Sequence, residues 1–170
     1  MTRAETPAIL AALILAGLLT TACNRSEAPT DQGLTTEQII QKYRSGVPME
    51  KAIGPIARAL ASGPVFSGTD GQDSGDPRKI NLKTNSDREG RQWLYAYSSQ
   101  AEFSKAFPQG GPFVEMSFAD LLGIAEANPQ FAGIYINSAS DGNCPILREQ
   151  FRGAKEALRG GSPPPSGQGN

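Results

Sequence analysis

Two short segments, "RQWLYAYS" at 91–98 and "FAGIYINS" at 131–138, limit the possible folds of this chain more than any others. In an extended strand successive side chains point to opposite faces. The first segment therefore sets Trp93, Tyr95 and Tyr97 on one face and Leu94 and Ala96 on the other. A strand apolar on both faces is covered from both sides, or one face waits for a partner. The second segment is almost wholly apolar, which predicts a central strand. The three aromatics suit core packing, the reading adopted; a ligand platform is the alternative.

Helix signals surround these strands. Thr35-x-x-Gln38 is a capping box with Ile39, Ile40 and Tyr43 on one face, and Gly46 ends that helix. Pro48 starts a second, where Met49, Ile53, Ile56, Ala57 and Leu60 recur at helical spacing. Pro55 inside it should kink or split it. "GPVFSG" reads as a strand. Ile80 and Leu82 alternate with lysines and Asn81 in "KINLKTNS", a half-exposed strand joined to "RQWLYAYS" by the turn "NSDREG". Ser99-x-x-Glu102 is another capping box, opening a helix bearing Phe103 and Phe107, and Pro108 stops it. "PFVEMS" is a strand. Ser117 caps "FADLLGIAEAN", with Leu121, Leu122 and Ala125 inward. A last helix over "ILREQFRGAKEALRG" puts Leu147, Phe151, Ala154 and Leu158 on one stripe, with Arg148, Glu149, Lys155 and Glu156 outside it.

The resulting order, α-α-β-β-β-α-β-α-β-α, predicts a single α+β domain over 34–160, with a mixed sheet of about four to five strands backed by helices. "GTDGQDSGDPRK" at 68–79 spaces Asp70, Asp73 and Asp76 among glycines. It fails as a calcium loop, because no glutamate closes it and Asn81 stands at the twelfth position. A turn or surface loop is the expectation, with no metal and no cofactor. The ending "GGSPPPSGQGN" has nothing to bury, and 161–170 is expected to be a disordered tail.

The opening "MTRAETPAILAALILAGLLTTAC" has the layout of an export signal over 1–22. Arg3 supplies positive charge, Ala8 to Leu19 form an apolar run, and small residues follow. That run is shorter than the roughly 20 residues a spanning helix needs. Cys23 sits where a bacterial lipoprotein carries its acylated cysteine. Thr21 and Ala22 resemble a lipobox, although Thr20 stands where leucine is usual. "NRSEAPTDQG" then reads as a tether over 23–33. The alternative is ordinary secretion, since Thr20-x-Ala22 also fits small-x-small cleavage. Cys23 and Cys144 would then be an even pair able to bridge. We take the anchored reading: a membrane partner through lipidated Cys23, in the cell envelope, facing the periplasm or the exterior.

Composition narrows the function. The chain has 16 Lys+Arg, 17 Asp+Glu and no histidine. A net charge of −1 with no basic stripe points away from nucleic acid. Lack of imidazole removes every mechanism needing that base and argues against a zinc site. Two enzyme options remain: Glu115 as an acid of raised pKa, or Cys144 as a nucleophile ahead of the last helix. Alternation in "PFVEMSF" turns Glu115 to water, and a half-buried structural role is the simpler reading of Cys144.

"ALASGPVFSG", "WLYAYSSQAEF", "VEMSFADLL" and "GIYINSAS" carry a resemblance. From Ala59 to Ser138 this order resembles the N-terminal domain of the SseB family, the enhanced serine sensitivity proteins and their relatives in secretion-linked operons. Ser138 departs from the family's proline after Asn137, and too few residues remain for the family's second domain. The resemblance implies a fold and a binding or accessory role, with no agreed enzymatic activity. Asn137 is its one polar position of note, read as a strand-end cap, with ligand binding as the alternative. The expectation is a non-enzymatic anchored module that binds a protein partner, with Trp93, Tyr95, Tyr97 and Asn137 as the candidate surface. A secreted immunity or inhibitor protein without lipid is the runner-up.

Overall fold

Each predicted N-cap hydroxyl accepts its N–H, although the Ser99 box lacks the return bond, since the Glu102 carboxylate turns to Lys105 and Ser140. In the computed structural model, which describes Asp31, residues 33–71 and residues 81–160, the Gln38 N–H donates to Thr35 Oγ1 at 3.3 Å and the Thr35 N–H to Gln38 Oε1 at 2.8 Å. These bonds open α1 (Thr36–Arg44). Ser99 likewise accepts from the Glu102 N–H to start α3 (Gln100–Ala106), and Ser117 from the Asp120 N–H to start α4 (Phe118–Ala127). Such caps act locally, by satisfying orphan N–H groups of the first turn. The described residues all belong to the second of two units that divide at Thr30. The export segment, Cys23, Asp73, Asp76, Ile80 and the tail lie outside the described residues.

Pro55 does not split its helix. α2 runs unbroken from Met49 to Leu60. The missing N–H and ring clash cost roughly 3 kcal/mol. Burial of Ile53, Ile56 and Leu60 offsets this, at roughly 1.5–3 kcal/mol for each large side chain. Tertiary packing overrides the local penalty.

Among the described residues six strands follow: β1 (Val65–Gly68), β2 (Thr84–Ser86), β3 (Gln92–Ala96), β4 (Phe113–Met116), β5 (Phe131–Ile136) and β6 (Cys144–Leu147). The main sheet has the order β2-β3-β5-β6, with β3 and β5 parallel and the outer pairs antiparallel. β5 is interior, as its apolar run predicts. β1 pairs antiparallel with β4 and meets the end of β3, where Phe66 and Tyr97 exchange backbone bonds of 2.8 and 2.9 Å. The fold is an α+β domain with a mixed sheet.

β6 corrects the expectation of a helix starting at Ile146. Helix α5 begins only at Phe151 and ends at Gly160, after a 3-10 turn over Arg148–Gln150. Pro145 explains the change, because proline drives the residue before it out of helical backbone and suits an edge strand. Cys144 and Ile146 are buried, covering the edge of β5. Leu147 therefore leaves the predicted helical stripe. Arg148, expected outside, caps α4: its guanidinium donates to the carbonyls of Ala125 (2.9 Å), Glu126 (2.7 Å) and Asn128 (3.1 Å).

One face of the sheet is shut. Leu94, Ala96, Ile134, Ile136, Cys144 and Ile146 pack with side chains from α1, α2, α4 and α5 in one apolar core. On the other face a smaller cluster of Phe66, Tyr97 and Phe103 forms beneath α3, with Phe107 against it. α3 covers only one end of that face.

Candidate functional site

The uncovered end holds the site. Strand alternation aims Trp93 and Tyr95 of β3 to one side, and the register sets Tyr95 beside Tyr135 and Trp93 beside Gly133. Across β5–β6, Tyr135 meets Pro145 and Gly133 meets Leu147. The result is a trough of about 570 Å³ floored by these side chains and rimmed by the turn after β2. Tyr95 and Tyr135 stack with ring centroids 5.7 Å apart and planes 15° apart. The indole of Trp93 meets Tyr135 edge-on at 5.9 Å. Offset-stacked and edge-to-face arrangements are the favourable ones for aromatic quadrupoles.

Gly133 makes this floor possible. A Cβ there would lie 2.3 Å from the Ile146 carbonyl oxygen and 2.7 Å from a ring carbon of Trp93. Only a residue without a side chain lets the indole lie across β5.

Asp87 holds the rim. Its Oδ1 accepts from the N–H groups of Glu89 and Arg91 at 3.0 and 2.9 Å, closing the turn. Its Oδ2 accepts from Trp93 Nε1 at 2.9 Å and Arg91 Nε at 2.7 Å. The guanidinium of Arg91 sits 5.9 Å from the Trp93 ring centroid and pairs also with Glu89 at 3.1 Å. The Trp93 bond, with the Arg91 bonds and charge behind it, holds the Asp87 carboxyl well below the usual carboxylate range. Burial pushes the Tyr95 phenol up, with Tyr135 adding to it. Both groups thus keep one protonation state across the neutral range, which suits fixed recognition more than proton transfer.

A second cavity of about 340 Å³ lies on the far side of Tyr95, lined by Tyr97, Phe107, Lys83 and Ser138 among others. Tyr97 is 2% exposed and stands edge-on to Phe103 at 5.5 Å, so its main role is packing. Its hydroxyl lies 3.3 Å from Ser138 Oγ. The structure thus brings Trp93, Tyr95 and Tyr97 along one face, with Tyr95 shared by both cavities.

Asn137 stands apart from them. It adopts a left-handed backbone, φ +53°, which asparagine tolerates better than most residues. Its Oδ1 accepts from the Ser98 N–H at 2.9 Å and its Nδ2 donates to Ser98 Oγ at 2.8 Å. The side chain caps the ends of the parallel strands through a backbone bond. It borders a separate polar cavity with Glu37, Glu102 and Lys105.

The two residues weighed for catalysis are placed differently again. Cys144 is fully buried on the helix-covered face, and burial pushes its thiol up to about 11. That is the reverse of the lowered pKa of an activated nucleophile. Glu115 is exposed on β4, opposite Phe66 in register.

Asp87, Tyr135, Gly133, Pro145 and Leu147 escaped the reading of the sequence as site residues. One signal was available: Trp93-Leu94-Tyr95-Ala96 and Gly133-Ile134-Tyr135-Ile136 share an aliphatic-Tyr-aliphatic phase. Paired in parallel, that phase places the two tyrosines side by side.

Neither a curated protein nor a solved structure matches the chain. A family model described as the SseB protein N-terminal domain matches residues 37–152. That span reaches beyond Ala59–Ser138 in both directions, taking in α1, α2 and β6. It also contains every residue of the trough floor. By its sequence from Glu37 to Arg152, this chain belongs to the SseB family.

Proposed function

We propose that this chain is a bacterial envelope lipoprotein, anchored through acyl groups on Cys23, whose SseB-family domain works by binding a protein partner at the open aromatic face. The observation that carries the binding half is the trough: Trp93, Tyr95 and Tyr135 form an apolar floor, edged by Met49 of α2, on the same sheet face whose Tyr97 end α3 covers. Aromatic side chains with polar tips are enriched in protein interfaces because they contribute apolar area and a hydrogen-bonding handle together. The family's reading as binding or accessory modules points the same way. We assign the domain no catalytic step and no nucleic-acid partner.

The anchoring half rests on the sequence around Cys23, where an apolar run, small residues and a polar tether follow in order. Each buried CH₂ contributes about 0.8 kcal/mol, and stable attachment takes at least two chains. Secretion without lipid is the second reading, favoured by the small residues Thr20 and Ala22.

Two experiments test the halves separately. Labelled palmitate should enter the wild-type protein and not Cys23→Ser; a labelled Cys23→Ser protein would end the lipid assignment. A photo-crosslinking amino acid at Tyr95 should give one discrete adduct in intact cells, absent when the probe sits at exposed Arg152. Equal labelling from both positions would remove the trough as the binding surface.

A further inference from the structure

We infer that the open aromatic face takes an extended, acidic segment of a protein partner, its apolar side chains on Tyr95 and Tyr135 and its carboxylates on Lys83 and Arg88. The inference rests on reading the trough as a binding surface and adds the chemical class of what it binds. Charge, continuity and spacing support it.

The charged side chains lining the trough and its neighbouring cavity are Lys83, Asp87, Arg88, Glu89 and Arg91. Both carboxylates are held by Arg91, Asp87 at 2.7 Å and Glu89 at 3.1 Å. Among the described residues the other two cations pair with no carboxylate. Arg88 is exposed in the turn, and the Lys83 ammonium sits 4.8 Å from the centroid of the Phe107 ring. An ammonium has three donors, so the ring contact leaves it able to take a carboxylate. The face thus offers two unpaired positive charges and no unpaired negative one. The two cavities are also continuous, because Tyr95 lines both. Asn85 stands opposite Trp93 in register, Asp87 bonds its indole, and Lys83 reaches Phe107 in the second cavity. Alternate residues around β2 therefore border one aromatic surface. Spacing fits an extended occupant. Lys83 to Asp87, one residue short of Arg88, spans about 13 Å in a strand, and four residues of polyproline-type backbone span about 12 Å. Acidic residues four apart bring one carboxylate to each cation while the residues between them lie over Tyr95. Exposed ion pairs contribute modestly and set the preference for charge, while the rings supply apolar area.

Trp93 is the only tryptophan in the chain, so one indole N–H signal reports on the trough of the full chain in neutral detergent. The end-blocked peptide Glu-Pro-Leu-Pro-Glu, at millimolar concentration, should shift that signal, and Lys-Pro-Leu-Pro-Lys should not. Affinity for the acidic peptide should fall about threefold in Lys83→Gln or Arg88→Gln, about tenfold in the double variant, and in wild type as salt is added. Both side chains are exposed, so the variants should keep the wild-type urea midpoint. Equal affinity for the two peptides, or an affinity indifferent to both substitutions, would overturn the acidic assignment. A signal that moves on dilution of the protein alone would overturn it in favour of a second copy. One that moves with phosphatidylglycerol bicelles and not with the acidic peptide would overturn it in favour of lipid. The Tyr95 crosslink reports on the binding surface independently: an unmoved indole with a persisting adduct sinks the acidic class alone, and loss of both sinks the trough.

Discussion

The two faces of the sheet are made by the same strands and differ in nearly everything else. On the helix-covered face Leu94, Ile134, Ile136 and Ile146 are each at most 1% exposed. On the other face their immediate chain neighbours, Trp93, Tyr95, Tyr135, Pro145 and Leu147, line a trough. The closed face is aliphatic and gains its stability by excluding water. The open face is aromatic and retains polar tips, with Trp93 bonded to Asp87 and Tyr135 near Asn143 at 3.4 Å. Rings of this kind hold a rigid shape beside water with few rotatable bonds to immobilise. On the proposed reading of the trough, stability and recognition are divided between alternate residues of each strand.

Cys144 offers the largest test of that division. Its sulfur is on the closed face, fully buried, with its pKa pushed up to about 11. A thiol reagent at pH 8 should modify it at least about a thousandfold more slowly in the folded protein than in urea, since reaction waits on opening of the core. Comparable rates would mean that the face is not closed. Intact mass after processing should likewise show Cys144 as a free thiol.

Next in size is the core itself. Leu94→Ala should cost about 3 kcal/mol in urea unfolding, from lost transfer energy and a residual cavity. A loss under about 1 kcal/mol would mean that the site collapses or was never tightly packed.

Asp87→Asn probes the hydrogen bonds at the rim through pH. The Asp87 carboxyl is held below its ordinary value of 3.8 when folded. A depressed folded pKa contributes stability that is present above the unfolded value and lost as pH falls toward the folded one. Wild type should therefore exceed Asp87→Asn in urea midpoint at pH 7, and the gap should narrow steadily below pH 3.8. A gap that stays constant down to acid unfolding would assign the effect to turn geometry and not to the carboxylate's charge.

The smallest effect belongs to the open face. Tyr95→Ala removes one aromatic cross-strand pair and should cost less than about 1 kcal/mol. The comparison sharpens if that variant stays folded while an adduct from the same photo-crosslinking amino acid placed at Leu147, in the same trough, is lost. It breaks if Tyr95→Ala destabilises as much as Leu94→Ala.

Much of this architecture is legible locally. Thr35, Ser99 and Ser117 cap three helices because a hydroxyl three residues before an N–H acts within one turn and needs nothing distant. The near-continuous apolar run of β5 reveals an interior strand for a similarly simple reason: both faces must be covered. Local reading fails where a distant group decides. Pro55 stays inside α2 because the core supplies more than the proline removes, and residues 144–147 become a strand because β5 has an edge to fill. Arg148 turns from solvent to the carbonyls ending α4, which lie over twenty residues away in sequence for Ala125 and Glu126.

What the sequence determined by itself was most of the elements, β6 excepted, the N-terminal caps of three helices and the alternation that gives each strand two unlike faces, since these depend on neighbours a few positions away. Tertiary structure alone decided which aromatic face stays open. That choice depends on the β3–β5 register placing Tyr95 beside Tyr135, on Gly133 yielding space to Trp93, and on α3 being only 7 residues long. Its physical reason is area: so short a helix covers the Tyr97 end of the sheet and leaves Tyr95 and Tyr135 half-buried beside a buried Trp93.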